Sequence, residues 1–150
     1  MSKVLVVEDE QHLADGLRFN LEAEGYQVQV TDTGESALEA LSSDPAAFDV
    51  VVLDPPAFAR SQNARAQALK AYRRLNTLGM QVLRPDGILL SSSCSGFVGI
   101  DDLLGILSQA AQRLQRPVQL LETYTHGVDH PIHLAMPETS YLKAIFCRVG

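Results

Sequence analysis

A chain of 150 residues, 46% hydrophobic and 20% charged with no low-complexity tract, can bury a core without disulfides or a structural metal. Its formal charge of −6 and pI near 5.1 oppose strong binding to a phosphate backbone, so composition argues for no nucleic-acid partner. Two cysteines are too few for a disulfide framework, no basic-then-apolar leader opens the sequence, and no apolar run approaches the roughly 20 residues that cross a bilayer, so a cytoplasmic protein with no membrane partner is expected.

In chain order, Val4 to Val7 is a short apolar run ending in Glu8-Asp9-Glu10, the pattern of a buried parallel strand that delivers acids to its carboxyl edge. From Gln11 to Glu24, Leu13, Leu17 and Leu21 recur every fourth position before Gly25, which predicts an amphipathic helix with a glycine stop. Tyr26 to Thr31 alternates as a strand near a sheet edge does, and Thr33 then caps a second helix over Glu35 to Leu41. Asp49 to Asp54 is the most apolar strand, ended by Pro55-Pro56, which removes two backbone donors.

A long helix from about Asn63 to Leu83 leads into the turn Arg84-Pro85-Asp86-Gly87 and the strand Ile88 to Ser92. Asp101 or Asp102 opens a further helix carrying Leu103, Leu104, Leu107, Ala111 and Leu114, followed by the strand Val118 to Glu122. Tyr124 to Thr139, with Pro131 and Pro137, reads as a loop, and Ser140 to Val149 as a closing strand. Alternating strands and helices imply one α/β domain over residues 1–150, a mostly parallel sheet covered by helices on both faces. The loop before the closing strand is too short for a parallel return, so that strand is expected to be antiparallel.

Such a sheet places its ligand site at the carboxyl strand ends. Glu8, Asp9 and Asp54 converge there, and three carboxylates repel unless a cation joins them, which makes them candidate Mg²⁺ ligands; the alternative is that they sit on solvated strand ends. His126, His130 and His133 with Asp129 have spacings that can be drawn as a metal site, but their loop context argues against dedicated zinc.

Lys3 to Glu10, the helix with Leu17 and Leu21, Gly25-Tyr26, Thr33 to Leu38 and Asp49 to Asp54 together resemble a response-regulator receiver domain, over residues 1–54. The resemblance implies that Glu8 and Asp9 help hold Mg²⁺ and that Asp54 is a phosphoacceptor served by a histidine kinase or a small phosphodonor. Beyond Asp54 the receiver pattern stops: Ser92 or Ser93 can supply its hydroxyl, but Val118 to Glu122 ends in no lysine, and nothing in the sequence shows Lys143 reaching the pocket.

Residues 54–149 resemble a different family, the class I methyltransferases that make 5-methylcytosine in ribosomal RNA. Asp54 to Phe58, Tyr72 to Asn76, Leu83 to Leu90, Ser92 to Gly96, Asp129-His130-Pro131 and Tyr141-Leu142-Lys143 carry this resemblance. It implies that Asp54-Pro55-Pro56 lies beside cofactor and target base, and that Cys94 attacks the pyrimidine as a thiolate. Without the resemblance, Cys94 reads as a small residue in a Ser-rich turn. S-adenosylmethionine (SAM) is not expected to bind, because the turn Glu8 to His12 holds no glycine and its charge repels the cofactor carboxylate; Asp32 stands where a ribose-binding acid belongs, but reads as a turn residue.

The two resemblances meet at Asp49 to Asp54. The resulting expectation is an engineered chimera, a receiver-like half (1–54) joined to a methyltransferase-like half (55–150) with neither activity complete and Cys94 vestigial. Its fold is a three-layer αβα sandwich with strand order 2-1-3-4-6-5, a flavodoxin-like and Rossmann-like hybrid. A phosphorelay receiver and a SAM-dependent RNA cytosine-5 methyltransferase stand as the alternatives.

Overall fold

Apolar strand-length runs separated by amphipathic segments pair into one six-stranded sheet: β1 (Lys3–Glu8), β2 (Gln27–Thr31), β3 (Phe48–Asp54), β4 (Leu83–Ser93), β5 (Val118–Tyr124) and β6 (Lys143–Val149), in the order β2-β1-β3-β4-β6-β5. The computed structural model describes residues 1–32, 36 and 48–150, so the helix expected over Glu35 to Leu41 lies outside the described residues. The first four strands are parallel, and β6 runs antiparallel to both β4 and β5. The expected order and the reversal of the last strand are both found.

Three α-helices among the described residues pack on this sheet: α1 (Gln11–Ala23), α2 (Arg65–Val82) and α3 (Ile100–Leu114). Right-handed crossovers place α2 and α3 together on one face and α1 on the other, because the chain turns back after β2. The larger core lies under α2 and α3, where Leu5, Val51, Leu53, Leu89 and Ile145 meet Tyr72, Met80 and Leu103. On the other face Val4, Val6 and Ala14 are buried. Here the helix differs from its expected leucine stripe: Ala14 is the buried residue, while Leu13 and Leu17 stay exposed, since α1 packs over β1 and β2 at the sheet's edge.

Local chemistry sets the element ends. Gly25, at φ 86°, lets the chain leave α1 as Gly25 N donates to Glu22 O and Tyr26 N to Leu21 O, each at 3.0 Å. α2 is entered through a 3₁₀ turn, Gln62–Ala64, capped by Ser61 Oγ, which accepts from Ala64 N at 3.3 Å. Asp102 accepts from Gly99 N at 2.9 Å and so opens α3 from its third position.

The Arg84-Pro85-Asp86-Gly87 segment is not a turn that precedes a strand; β4 already begins at Leu83 and carries these residues as an irregularity. The pairing register shifts opposite them, between Phe48 and Val50, and Asp86 takes φ 65°. Gly87 is required there, because a Cβ would come within 2.9 Å of Arg84 O. No helix among the described residues is long and apolar enough to cross a membrane.

Candidate active site at the carboxyl strand ends

Parallel pairing sets Glu8 of β1 directly beside Asp54 of β3, and Leu53 beside Ser91 of β4. The Pro55-Pro56 step stops the β3 ladder at that level, so the side chains that follow Val7, Leu53 and Ser91 gather in one place. Ser92 Oγ lies 2.6 Å from Asp54 Oδ1 and 3.1 Å from Leu53 O, fastening β4 to the acid. Glu8 is only 4% exposed, and its Oε1 accepts from Glu10 N at 2.8 Å. Burial is the main force that lifts its pKa to about 7; the Glu10 amide opposes this, and the hydrogen bond and charge of Asp54 and the charge of Asp9 add to it. At neutral pH Glu8 therefore keeps a proton in part of the population, next to Asp54.

Asp9 is exposed and lines a cleft of about 240 Å³ with Val7, Asp32, Pro55, Pro56, Phe58 and Leu75. Of the expected metal ligands, then, Glu8 and Asp54 are brought together, and Asp9 faces an adjoining space. Among the described residues no group of three or more His, Cys, Asp or Glu side chains is gathered so as to hold a metal ion. The histidines of the long loop are also not a metal group: the His126 and His130 rings stack with centroids 5.4 Å apart, and Tyr141 closes edge-on against His126 at 4.8 Å.

Cys94 follows β4 directly and is half-buried with a free thiol. Its loop is tightly tied. Ser95 N donates to Ser93 Oγ at 3.2 Å, and Ser95 Oγ donates to Ala59 O at 2.7 Å. The buried Tyr72 hydroxyl reaches Ser93 Oγ at 2.9 Å, with the Tyr72 ring held edge-to-face against Phe58 at 4.9 Å. Lys143, at the start of β6 and 8% exposed, drives its ammonium under the loop and donates to the carbonyls of Ser95 and Val98.

Burial pushes the Cys94 thiol above its usual pKa, the Asp54 charge pushes it further, and the Lys143 charge works against both. Burial also lowers the Lys143 pKa, opposed by the charges of Cys94 and Asp102. These shifts keep Cys94 a thiol in the resting site. Lys143 is named in the sequence patterns above, but they do not place it at the site. Its signal is the antiparallel register that pairs Ser93 with Lys143, which no linear pattern displays.

Comparison with known proteins places these features in context. The family model described as "Response regulator receiver domain" matches residues 4–55. Two relatives named "Ribosomal RNA large subunit methyltransferase I" match nearly the whole chain: that of Erwinia tasmaniensis is 35% identical over 98% of this chain, and that of Serratia proteamaculans 36% over 99%. The chain spans 38% of the length of each. Among solved structures, SMU.776, titled a methyltransferase complexed with SAH, superposes with a TM-score of 0.70 at 16% identity, covering 99% of this chain and 45% of its own. A methyltransferase homolog from Pyrococcus horikoshii gives 0.59 at 17% identity, covering 98% of this chain and 61% of its own. These two likenesses establish the fold alone, a Rossmann-like sheet.

The comparisons correct four expectations. An engineered chimera requires the methyltransferase likeness to break at the middle strand, yet single relatives run through Asp49 to Asp54 and on to β1. The receiver match is local, confined to residues 4–55. The phosphorelay reading falls for the same reason. The expectation that SAM does not bind rested on a missing glycine turn, and it is overturned by whole-chain likeness to methyltransferases and by a structural neighbour holding SAH. The exclusion of nucleic acid rested on net charge, and it is overturned by relatives whose name specifies ribosomal RNA; a net charge is a sum and does not describe how charge is distributed.

Proposed function

We propose that residues 1–150 act as a single SAM-dependent methyltransferase domain that modifies a cytosine of large-subunit ribosomal RNA at C5, with Cys94 as nucleophile. The observation that carries this reading is whole-chain likeness to the ribosomal RNA methyltransferases, at 35% identity, in a chain whose fold brings Cys94 to the strand end beside Asp54-Pro55-Pro56. Two free thiols and the ribosomal substrate class favour a cytoplasmic setting.

The cleft's chemistry fits SAM. Pro55, Pro56, Phe58, Leu75 and Val7 form an apolar wall for a base, while Asp32 stands at the end of β2 to take ribose hydroxyls. Thr31 Oγ1, buried at the same strand end, has no partner among the described residues. Asp9 supplies the negative charge that a ligand bearing an ammonium and a sulfonium requires. When bound there, SAM supplies an electrophilic methyl group.

The chain's own residues do the rest. The proton Glu8 retains near neutral pH gives the carboxylate pair a donor for the N3 edge of the target base, which orients the ring and offsets negative charge as it develops. The Cys94 proton passes to this pair, and Sγ forms a bond to C6. Electron density moves to C5, which would take the methyl group as its bond to the cofactor sulfur breaks. The carboxylate pair, having released the Cys94 proton to solvent, accepts the C5 proton, and cleavage of the Sγ–C6 bond restores the ring and the thiolate. Lys143 and Tyr72 hold the loop and limit its movement during attack.

Calorimetry of the full chain with SAM, followed by transfer of a labelled methyl group to deproteinised large-subunit ribosomal RNA, tests the reading. Binding with transfer that Cys94→Ala abolishes supports it. Absence of SAM binding, or transfer that survives Cys94→Ala, overturns it.

A further inference from the structure

The basic residues of this acidic chain are not scattered. Lys70, Arg73, Arg74, Thr77 and Gln81 fall on one stripe of α2, at spacings of three and four residues, and with Arg113 near the end of α3 they line a groove of about 470 Å³ on the outer face of the helical layer. Lys70, Arg73, Arg74 and Arg113 are exposed, and no acidic side chain lines the groove. The ion pairs among the described residues, Arg65 with Asp102 and Arg84 with Asp49, use none of them. Four cations out of 12 in a chain of net charge −6 thus stand side by side with their charge unmet. Such an arrangement costs folding energy by self-repulsion and returns nothing to the core, which marks it as a site for an anionic partner.

We propose that this groove is the track for the phosphate backbone of the RNA strand whose target base enters the Cys94 site, an inference that rests on the proposed function. From Lys70 to Gln81 the stripe runs about 16 Å along the helix axis, long enough for several phosphates rather than one. α2 links groove and site directly: Tyr72 lies between Lys70 and Arg73 in sequence but points inward, where its hydroxyl meets Ser93 beside Cys94. The stripe lies on the far side of α2 from the Cys94 loop, with Lys70 at its nearer end and Arg113, about 20 Å along α3 from the start of that helix, at its distal end. The groove is concave, so it suits a narrow polyanion, not a flat lipid headgroup layer. Thr77 leaves its hydroxyl on Arg73 O at 2.7 Å, so recognition falls to charge and not to base edges.

The test is fluorescence anisotropy of a labelled single-stranded RNA with the full chain, at salt concentrations from low to physiological. Wild type binds with a steep salt dependence, and Arg73→Glu/Arg74→Glu binds about tenfold or more weakly, with a slope of log Kd against log salt shallower by about 1.4. Arg73→Lys/Arg74→Lys keeps the wild-type slope. The four cations lie outside the core, and unchanged SAM calorimetry of the Glu variant establishes that it is folded. Equal RNA binding by wild type and Glu variant overturns the groove and leaves the functional reading standing if wild type still binds SAM and transfers methyl. Wild-type binding to phosphatidylserine vesicles or polyglutamate but not to RNA overturns the groove as an RNA track. Failure of the wild type in SAM binding and transfer strikes the functional reading instead.

Discussion

The Tyr72 hydroxyl and Ser93 Oγ lie 2.9 Å apart inside the core, so the middle of α2 is tied to the residue just before Cys94. Tyr72 has no exposed surface, and burial raises its pKa, so this phenol remains a donor across any physiological pH. Tyr72→Phe removes the bond and leaves Ser93 Oγ with the Ser95 amide. The expected loss is about 1 kcal/mol in urea denaturation. A larger loss in methyl transfer than in stability marks the bond as positioning the Cys94 loop.

Glu8 makes the fold pH-dependent in a defined direction. Its folded pKa of about 7 lies above the 4.5 of an ordinary Glu, so the folded state binds the proton more tightly than the unfolded chain does. Stability from this group is fully present below pH 4.5 and is lost as pH rises through about 7. Glu8→Gln keeps an acceptor for Glu10 N and cannot ionise. At pH 8 the variant is expected to exceed wild type by about 3 kcal/mol, with no difference near pH 4. Urea midpoints across this range check it, and parallel curves for the two proteins contradict it.

Two charges pull the Cys94 thiol in opposite directions, and substitution separates them. Lys143→Met removes the cation and is expected to slow alkylation of Cys94 by iodoacetamide near neutral pH, whereas Asp54→Asn speeds it. The pH dependence of the alkylation rate, followed by mass spectrometry of the Cys94 peptide, reads the shift of each variant. Cys147 gives an internal reference, since burial lifts its thiol to about 11.

At the end of α3, Gln115 adopts φ 53°, where a side chain is strained, while its amide and that of Arg116 still close the helix on Gln112 O and Ala111 O. Gln115→Gly keeps those bonds and removes the strain. Thermal unfolding is expected to show a gain of about 0.5–1 kcal/mol, since the site lies far from the Cys94 loop and the gain carries no cost in methyl transfer.

Much of this architecture can be read from the sequence because its signals are local. The acids after Val7, the prolines after Asp54 and the loop without an α-helix before β6 each mark the end of a strand or its direction. What escapes is set by position in space. Arg84 to Gly87 carries turn residues, yet pairing with β3 holds it in the sheet as an irregularity. Lys143 reaches the Cys94 loop only because antiparallel register sets it across from Ser93. The basic groove is hidden in an acidic total, since four cations converge only once α2 and α3 pack together. The Leu13 and Leu17 stripe has helical periodicity, but where α1 sits on the sheet decides that Ala14 is the residue buried.

The place of β6 between β4 and β5 has a consequence for how the chain is made. A growing polypeptide that has emerged as far as Tyr124 holds β5 before its neighbour, because among the described residues its partner in the sheet is the strand translated after it. The same late strand brings Lys143 beneath Ser95 and Val98. Until it docks, the outer edge of the sheet lacks its neighbour and the Cys94 loop lacks the ammonium beneath it, so the last of the loop's ties forms only at the final step of assembly.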